Sequence, residues 1–453
     1  MKIICSNKII LQDVPSRFTR IIRERLTMPN PVYAEAEKRG RWTGNISREL
    51  RFYEDTPEGL IIPRGFARQL LRLATQYEVS WELDDRRRVL PEVEFIFTGK
   101  LRDYQMEAVQ DVLKHDHGVL FCPTGGGKTI IALAVIAKQG QPALVIVHTK
   151  ELLHQWIDRA VQFLGMEQDE IGIIGGGKKR IGERLTIGIV NSIYPIAEEI
   201  REHFGFAIVD ECHHCPSRTF TEAVSAFDCR FMLGLSATPY RRDGLSKLIY
   251  WHLGDQVHAV KKSRLIRERS IIKPEIVIRQ TGFISSFNLT EKYPAGISDL
   301  TGNPERNKLI VDDVVDYFRG NDGPVLILSD RKSHCLTLSE MLVDEGIRAE
   351  PLIGDLSTSK RREVVAAIRA GEVQAICATG NLIGEGFDLP AASALFLAMP
   401  IKFSGRVIQY AGRVLRPAPG KNRAVIYDYV DSREPVLVAS GKACQRAYQK
   451  LTA

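Results

Sequence analysis

The feature that most restricts the fold of this chain is a pattern of short apolar runs separated by segments with helical spacing, and it occurs twice. In the first series the runs are Val119–Cys122, Ala143–His148, Thr186–Asn191, Ala207–Asp210 and Phe231–Ser236. In the second series they are Val325–Ser329, Ala375–Ala378, Ala394–Met399 and Ala424–Tyr429. Continuously apolar strands are typical of parallel sheets that are covered by helices on both faces. The sequence therefore predicts two α/β domains in tandem.

The chain outside this pattern sets the domain boundaries. Residues 1–95 show short apolar runs and turn signals without the alternation, which predicts a small α+β domain. A charged stretch with few apolar residues, Gly254–Lys273, separates the two series, so we place the domains at 1–95, 96–255 and 256–453. Residues 282–304 are rich in Gly, Ser, Asn and Pro, and we predict a surface loop there.

Composition limits the class of protein without identifying a function. The 453 residues are 44% hydrophobic and 26% charged, as expected for a soluble globular protein of two or three domains. The N-terminus does not resemble a signal peptide and no apolar stretch is long enough to span a bilayer, which predicts a cytoplasmic protein without a membrane partner. Eight scattered cysteines indicate reduced, buried thiols. The net charge of +7 is compatible with a polyanionic partner but does not require one.

A glycine-rich turn that ends in lysine and threonine follows the first apolar run. Its residues are Pro123, Thr124, Gly125, Gly126, Gly127, Lys128 and Thr129. Glycines let backbone amides point at phosphate oxygens without a Cβ in the way, and the following helix N-terminus favours anions. Lys128 supplies charge to the β and γ phosphates, and the Thr129 hydroxyl can ligate Mg²⁺. Although Pro123 replaces the first glycine of the general consensus, the strand–turn–helix context predicts a nucleoside triphosphate site.

Two acids end another apolar run, at Asp210 and Glu211. At the carboxyl end of a parallel strand Asp210 would face the phosphate turn, where it can hold Mg²⁺ through its water shell. Glu211 can orient or deprotonate the attacking water. The adjacent residues 212–215 read Cys-His-His-Cys, but four consecutive residues cannot surround one tetrahedral zinc ion. We instead expect His214 to form hydrogen bonds across a domain interface.

The order of four motifs carries a family resemblance. They are Pro123–Thr129, Asp210-Glu211-Cys212-His213, Ser236-Ala237-Thr238-Pro239 and Gln409-Tyr410-Ala411-Gly412-Arg413-Val414-Leu415-Arg416. Together they resemble the superfamily 2 helicases of the DExH type, over residues 97–430. The segment 236–243 resembles the XPB-like and UvsW-like branch, whose members carry an N-terminal DNA-recognition domain. The resemblance implies two tandem RecA-like parallel-sheet domains after the small α+β domain, and a bacterial or phage-encoded source.

The resemblance also implies an ATP site formed with Mg²⁺. Arg102 and Gln105 would recognise adenine, and Gly386 and Asp388 would organise the nucleotide from the second domain. Arg413 and Arg416 lie three residues apart on one helical face and would reach the γ-phosphate as arginine fingers, with Gln409 one turn earlier. Ser236, Thr238 and His214 would couple hydrolysis to domain movement.

The nucleic-acid track implied by the resemblance consists of Thr149, Lys150, Asn191, Ser192 and Thr379. Contacts made mainly to phosphates predict little sequence specificity and salt-sensitive binding. Lys150 is equally compatible with a solvated helix start. In residues 1–95 the same two alternatives, DNA contact or solvated face, apply to six arginines and two aromatic residues: Arg17, Arg20, Arg23, Arg25, Arg39, Arg41, Trp42 and Tyr53.

The expected function is an ATP-dependent DNA helicase or translocase that moves 3′ to 5′ on single-stranded or branched DNA in repair, recombination or defence. Three alternatives stay open. The chain could be the motor subunit of a restriction or anti-phage complex that needs a partner nuclease, an RNA helicase, or an ATP-dependent nucleic-acid clamp that does not translocate. A P-loop kinase is excluded by Arg413, Arg416 and the second α/β domain.

Overall fold

The computed structural model describes residues 1–214, 218–237, 245–380, 382, 389–401 and 404–452. The chain divides into two compact units, one of residues 1–122 and 127–260 and one of residues 123–126 and 261–453. Within the described ranges, no helix combines the length and the apolar character that a membrane span requires.

The N-terminal part of the first unit is a five-stranded sheet of order β5-β6-β2-β1-β7, in which β7 runs parallel to β1 and the other pairs are antiparallel. Its strands, with the separate pair β3 and β4, are β1 (Lys2–Cys5), β2 (Lys8–Gln12), β3 (Thr27–Pro29), β4 (Glu49–Arg51), β5 (Glu54–Thr56), β6 (Gly59–Pro63) and β7 (Glu82–Asp85). Its helices are α1 (Ser16–Arg25), α2 (Pro31–Lys38) and α3 (Ala67–Gln76). This agrees with the predicted α+β composition.

The first parallel sheet has the order β11-β10-β12-β9-β13-β14-β8-β15 and is parallel except for the β10–β11 pair. Its strands are β8 (His117–Phe121), β9 (Ala143–Val147), β10 (Gly172–Gly175), β11 (Lys178–Arg180), β12 (Leu185–Ile189), β13 (Phe206–Val209), β14 (Phe231–Ser236) and β15 (Gln256–Ala259). Its helices are α4 (Asp103–Leu113), α5 (Lys128–Gln139), α6 (Lys150–Leu164), α7 (Val190–Ile193), α8 (Ala197–Ile200), α9 (Arg218–Ser225) and α10 (Ser246–Leu253). The carboxyl ends of β9, β13, β14 and β8 are neighbours, which brings the segments that follow them to one edge.

The N-terminal sheet and the first parallel sheet share a hydrophobic core. Leu248 and Trp251 of α10 are buried with Phe18, Ile22 and Leu70 of the N-terminal helices. Residues 1–95 are therefore packed onto the first parallel-sheet domain by apolar contact.

Strand β15 corrects one predicted boundary. Residues 256–259 pair in parallel with β8 and so belong to the first sheet, whereas the sequence analysis began the second domain at residue 256. The short strand is only partly apolar, Gln-Val-His-Ala, and therefore lacks the signal that revealed the central strands.

The second parallel sheet has the order β16-β21-β20-β17-β19-β18, and all its pairs are parallel. Its strands are β16 (Glu275–Gln280), β17 (Val325–Leu328), β18 (Ala349–Leu352), β19 (Ala375–Ala378), β20 (Ala394–Leu397) and β21 (Val425–Val430). Its helices are α11 (Lys262–Arg267), α12 (Tyr293–Gly302), α13 (Pro304–Phe318), α14 (Lys332–Asp344), α15 (Thr358–Arg369), α16 (Ser404–Val414) and α17 (Pro435–Thr452).

Helix α12 shows that the predicted loop at 282–304 was wrong for its second half. Pro294 stands in the first turn, where a missing N–H costs nothing because those donors have no intrahelical partner. Ile297 and Leu300 are buried against Phe283 and Leu437. Tertiary burial thus outweighed the glycine and proline content of the segment.

A buried ion pair ties α13 to the end of the second sheet. Arg306 Nε donates to Asp431 Oδ1 at 2.9 Å, and the two side chains are 1% and 0% exposed. The guanidinium also donates to the Ala398 carbonyl at 2.7 Å, and the Thr281 hydroxyl donates to Asp431 at 2.5 Å. The groups that form hydrogen bonds in this cluster come from different parts of the second unit.

Removing the cation of this pair is expected to destabilise the protein strongly. Arg306→Leu leaves Asp431 as a buried, unneutralised carboxylate and should lower the free energy of unfolding by about 3–5 kcal/mol. Urea denaturation followed by circular dichroism measures the change. The control is Lys308→Ala on the same helix, which breaks an exposed pair with Asp312 and should change stability by less than about 0.5 kcal/mol. Equal effects of the two substitutions would contradict the prediction.

Candidate active site

The phosphate turn joins β8 to α5. Gly125 and Gly127 have φ angles of +88° and +80°, which L-residues with a side chain rarely adopt. A Cβ on Gly127 would also lie 2.5 Å from Nε2 of Gln105, so only glycine permits this close approach. Helix α5 begins at Lys128 with no side-chain cap at Gly127, and its first amides are therefore available to an anion.

The first turn of α4 brings Gln105 to this turn. It is buried, and its Oε1 accepts a hydrogen bond from the backbone N–H of Arg102 at 3.0 Å. That bond fixes the orientation of the amide beside Gly127. Recognition of adenine by Gln105 and Arg102 stays a prediction.

Asp210 and Glu211 follow β13 at the same edge of the sheet. Glu211 Oε1 accepts a hydrogen bond from Lys128 Nζ at 2.7 Å, which joins the acid directly to the phosphate turn. Glu211 has a φ of +47°, a left-handed backbone conformation that is uncommon outside glycine and is often found at functional sites. The carboxylate and the ammonium that the sequence assigned to hydrolysis are thus in direct contact.

The charges of this cluster follow from burial and pairing. Burial opposes ionisation of Glu211, but Lys128 and His213 outweigh it and hold the pKa of the carboxyl well below its usual range. For Lys128, burial acts against the charged form, and Glu211 and Asp210 more than compensate, so its pKa is raised. Burial, together with the neighbouring Glu211, raises the pKa of Asp210. At neutral pH the site therefore holds an ionised Glu211 beside a charged Lys128.

Asp210 is held by two donors from different parts of the chain. Its Oδ2 accepts from the indole Nε1 of Trp156 at 2.8 Å, and its Oδ1 accepts from the backbone N–H of Glu211 at 2.9 Å. Sequence reasoning missed Trp156. The available signal was the tryptophan itself, because a buried indole N–H generally needs an acceptor.

His213 was also missed. Its Nδ1 lies 3.2 Å from Ser236 Oγ and 3.2 Å from Glu211 Oε2. The coupling role was predicted for His214, the next residue. The side chain of His214 and all of Thr238 lie outside the described residues, so their predicted roles are not addressed by the structure. The fourth position of the Asp-Glu-Cys-His motif was the signal that pointed to His213.

The residues present fit a magnesium ion that arrives with ATP. The two hydrogen bonds to Asp210 use two of the roughly four acceptor sites of a carboxylate, so further oxygen coordination is open to it. Thr129 is the second residue of α5, beside Lys128. Mg²⁺ is commonly held by one or two carboxylates, a hydroxyl and substrate phosphates rather than by a protein cage. The described part of the chain contains no cluster of three or more His, Cys, Asp or Glu that could hold a metal.

The predicted arginine fingers lie at the end of α16, in the second unit. Helix α16 contains Gln409 and Arg413, and Arg416 follows it. The second unit includes residues 123–126, and within it a Cβ on Gly412 would lie 2.5 Å from Thr124 Cβ. A Cβ on Gly125 would lie 3.7 Å from Arg416 Cγ. The other predicted nucleotide residues of this domain, Gly386 and Asp388, lie outside the described residues.

The predicted nucleic-acid residues occupy strand ends in both sheets. Thr149 caps α6 through a hydrogen bond from the Leu152 N–H to its hydroxyl at 3.3 Å, and Lys150 is the first helical residue. Asn191 and Ser192 lie in α7, directly after β12, which neighbours β9. Thr379 follows β19 in the second sheet. Their contact with nucleic acid stays a prediction, and the hydroxyl of Thr149 already serves its own helix.

Two family models match the chain in order. "Type III restriction enzyme, res subunit" matches residues 98–241, and "Helicase conserved C-terminal domain" matches residues 308–418. The first covers the strands that carry the phosphate turn and the two acids, and the second covers most of the second sheet and α16.

Similar proteins with curated names are helicases or translocases. The "Probable helicase D10" of Escherichia phage T5 is 26% identical over 440 residues, which are 95% of this chain and 90% of that protein. The "DNA 3'-5' translocase XPB2" of Sulfurisphaera tokodaii is 39% identical over 149 residues, 33% of each chain. The "ATP-dependent DNA helicase uvsW" of Enterobacteria phage T4 is 25% identical over 346 residues, 73% of this chain and 68% of that one.

The fold agrees with a solved helicase structure. The helicase domain of Pyrococcus furiosus Hef has a TM-score of 0.51 at 14% identity, and the match covers 75% of this chain and 98% of that one. This likeness supports the two RecA-like domains predicted from the sequence. Because the two models match in order and the similar proteins along the chain are named as helicases, the protein is an ATP-hydrolysing helicase enzyme with the superfamily 2 RecA-like fold, and it acts on nucleic acid.

Proposed function

We propose that this protein is an ATP- and Mg²⁺-dependent DNA helicase or translocase that moves 3′ to 5′ on single-stranded or branched DNA. Its work would lie in repair, recombination or defence, in the cytoplasm. The observation that carries the proposal is the cluster at one sheet edge, where Lys128 meets Glu211 and Trp156 meets Asp210. Such a cluster is suited to hydrolysis of a triphosphate and not only to its binding.

Each residue of the cluster has a chemical role in the proposal. The amides at the start of α5 and Lys128 bind the phosphates, and an ionised Glu211 accepts a hydrogen bond from the attacking water and orients it. Thr129 and Asp210 would hold Mg²⁺, which neutralises charge on the β and γ phosphates when bound. His213 bridges Glu211 to Ser236 at the end of β14, so a change at the acid reaches the neighbouring strand.

Movement requires a second surface that responds to ATP. Arg413 and Arg416 would stabilise charge on the γ-phosphate from the second RecA-like domain. Closing and reopening around ATP would change the spacing between Lys150 and Asn191 on one sheet and Thr379 on the other, so that the protein steps along a strand.

Residues 1–95 would act as a DNA-recognition domain. Trp42 is 75% exposed, which suits stacking on a base. Tyr53 is less available, because the Arg23 guanidinium lies 5.8 Å from its ring centroid and also pairs with Asp55. Of the aromatic candidates in this domain, Trp42 is therefore the better one.

The proposal that DNA is the substrate rests on the names of relatives, and RNA is the alternative substrate. Relatives are described as a DNA 3′-5′ translocase and as DNA helicases, but a relative in Acanthamoeba polyphaga mimivirus is a "Putative ATP-dependent RNA helicase" at 26% identity over 378 residues. The match to a restriction-enzyme subunit favours, as a second candidate, a motor that works with a separate nuclease.

The discriminating experiment compares DNA with RNA of matched length and sequence. Hydrolysis of ATP by the purified protein should be stimulated by single-stranded DNA more than by RNA, and the stimulation should weaken as salt rises because phosphate contacts dominate binding. Phosphate release measures the rate. Displacement of streptavidin from either end of the strand measures direction, and loss from the 5′ end alone supports 3′ to 5′ movement. Stronger stimulation by RNA would contradict the DNA assignment.

A further inference from the structure

Trp156 lies at an unusual position for an apolar core residue. It is in α6 and 1% exposed, yet its indole N–H is given to the Asp210 carboxylate at 2.8 Å and not to a backbone carbonyl. A buried indole N–H needs an acceptor, and a backbone carbonyl would have met that need. The contact instead joins the interior of a helix to the carboxylate proposed as a magnesium ligand.

The hydrogen bond from the Trp156 indole helps to orient the Asp210 carboxylate. One donor, Trp156 Nε1, reaches Oδ2, and another, the Glu211 N–H, reaches Oδ1. Because each oxygen accepts a hydrogen bond, the plane of the carboxylate is fixed. The remaining lone pairs of the two oxygens therefore have defined directions. Partners that orient a ligating carboxylate in this way usually matter almost as much as the ligand itself.

Helix α6 connects this contact to the predicted nucleic-acid track. The helix begins at Lys150 with Thr149 as its N-cap, and both residues are predicted strand contacts. Trp156 follows Thr149 by seven positions, or about two turns and ~10 Å along the axis. Because a helix moves largely as a rigid body, a displacement at Thr149 and Lys150 is transmitted to the indole.

We propose that Trp156 is a positioning residue that links the strand-binding end of α6 to the Asp210 carboxylate. Binding of a nucleic-acid strand at Thr149 and Lys150 shifts α6, and the indole N–H carries this shift to the carboxylate that would hold Mg²⁺. This inference rests on the proposed function, since it presumes that Asp210 serves MgATP. It adds a route by which nucleic acid stimulates hydrolysis within the first domain.

Trp156→Phe tests the link, because it keeps the buried ring and removes the donor. The matched control is Trp251→Phe, a second buried tryptophan of the same unit that packs on Phe52. Affinity for a fluorescent, non-hydrolysable ATP analogue is measured against Mg²⁺ concentration. The Mg²⁺ concentration needed for half-maximal binding of the analogue should rise by about 10-fold or more in Trp156→Phe. Affinity without Mg²⁺ should match the wild type, and Trp251→Phe should need no additional Mg²⁺.

The coupling is measured with a single-stranded oligonucleotide. In Trp156→Phe the oligonucleotide should bind with wild-type affinity but stimulate ATP hydrolysis less, whereas Trp251→Phe should retain the stimulation. Wild-type Mg²⁺ dependence and wild-type stimulation in Trp156→Phe would overturn the inference. So would an equal loss in both variants, because that result indicates a packing role only.

A measurement on the unmodified protein keeps the inference testable if Trp156→Phe folds poorly. The chain contains four tryptophans, so ¹⁵N labelling yields four indole N–H resonances at most. The resonance of Trp156 should exchange slowly with solvent and shift when the oligonucleotide is added without nucleotide. No shift of any slowly exchanging indole would overturn the link. Failure of the proposed function itself would be seen separately, as absence of nucleic-acid-stimulated hydrolysis in the wild type.

Discussion

Glu211→Gln is expected to lower the rate of ATP hydrolysis by about 10²–10⁴-fold, the range for loss of a general base. Glutamine keeps the size of the side chain, but it cannot take a proton and carries no charge to hold the Lys128 ammonium at 2.7 Å. The N-terminal amides of α5 are retained and Asp210 still favours the charged form of Lys128, so nucleotide and DNA should still bind. Phosphate release under saturating ATP, with binding measured in parallel, checks both parts.

The control for this substitution is Glu199→Gln. Glu199 is an exposed acid of the same unit, paired with Lys179 at the surface. Glu199→Gln makes the same chemical change away from the carboxyl edge of the sheet, and this variant should hydrolyse ATP at the wild-type rate. Hydrolysis by Glu211→Gln at the wild-type rate would remove the basis for the hydrolytic assignment.

Loss of either predicted arginine finger should have an effect of similar or greater size. Arg413→Ala and Arg416→Ala are each expected to reduce turnover by about 10³–10⁵-fold, because a guanidinium on the γ-phosphate stabilises charge in the transition state. Nucleotide affinity should change far less, since the phosphate turn and Lys128 remain. Single-turnover hydrolysis separates the chemical step from binding.

Helix α16 supplies its own control. Arg406 lies on the same helix, is largely exposed and pairs loosely with Asp330 at 3.4 Å. Arg406→Ala removes one positive charge from α16 without touching the end that carries Arg413, so hydrolysis should stay near the wild-type rate. Comparable losses at positions 406, 413 and 416 would point to net charge or folding, and would refute a specific role at the γ-phosphate.

The central strands could be predicted from the sequence because burial on both faces leaves a strong apolar signal. The run Ala375–Ala378 is identical in prediction and structure. Edge strands carried a weaker signal: β15 and β16 expose one face or both, and their residues are only partly apolar. Helix α12 was missed since burial of Ile297 and Leu300 depends on partners far along the chain.

Some parts of the candidate site could likewise be predicted from the sequence, and others could not. Local order along the chain revealed the phosphate turn, because glycine, lysine and threonine act together within one turn. The contact between Lys128 and Glu211 was predictable in outline, since both follow parallel strands of one sheet. The contacts of Trp156 with Asp210 and of His213 with Ser236 have distances of 2.8 and 3.2 Å across the fold, and only the structure shows which of these groups meet.

The pairing of Lys128 with Glu211 has a consequence for the most common way of inactivating such enzymes. One ammonium group is both the proposed phosphate ligand and the counter-ion of the acid beside it. A variant that lacks this lysine would also remove the largest influence that lowers the pKa of Glu211, so burial would raise this pKa against the opposing effect of His213. Its inactivity would combine lost substrate affinity with a Glu211 carboxyl whose ionised form is less favoured. In this protein the inactivity of Lys128→Ala therefore does not by itself separate phosphate binding from the state of Glu211.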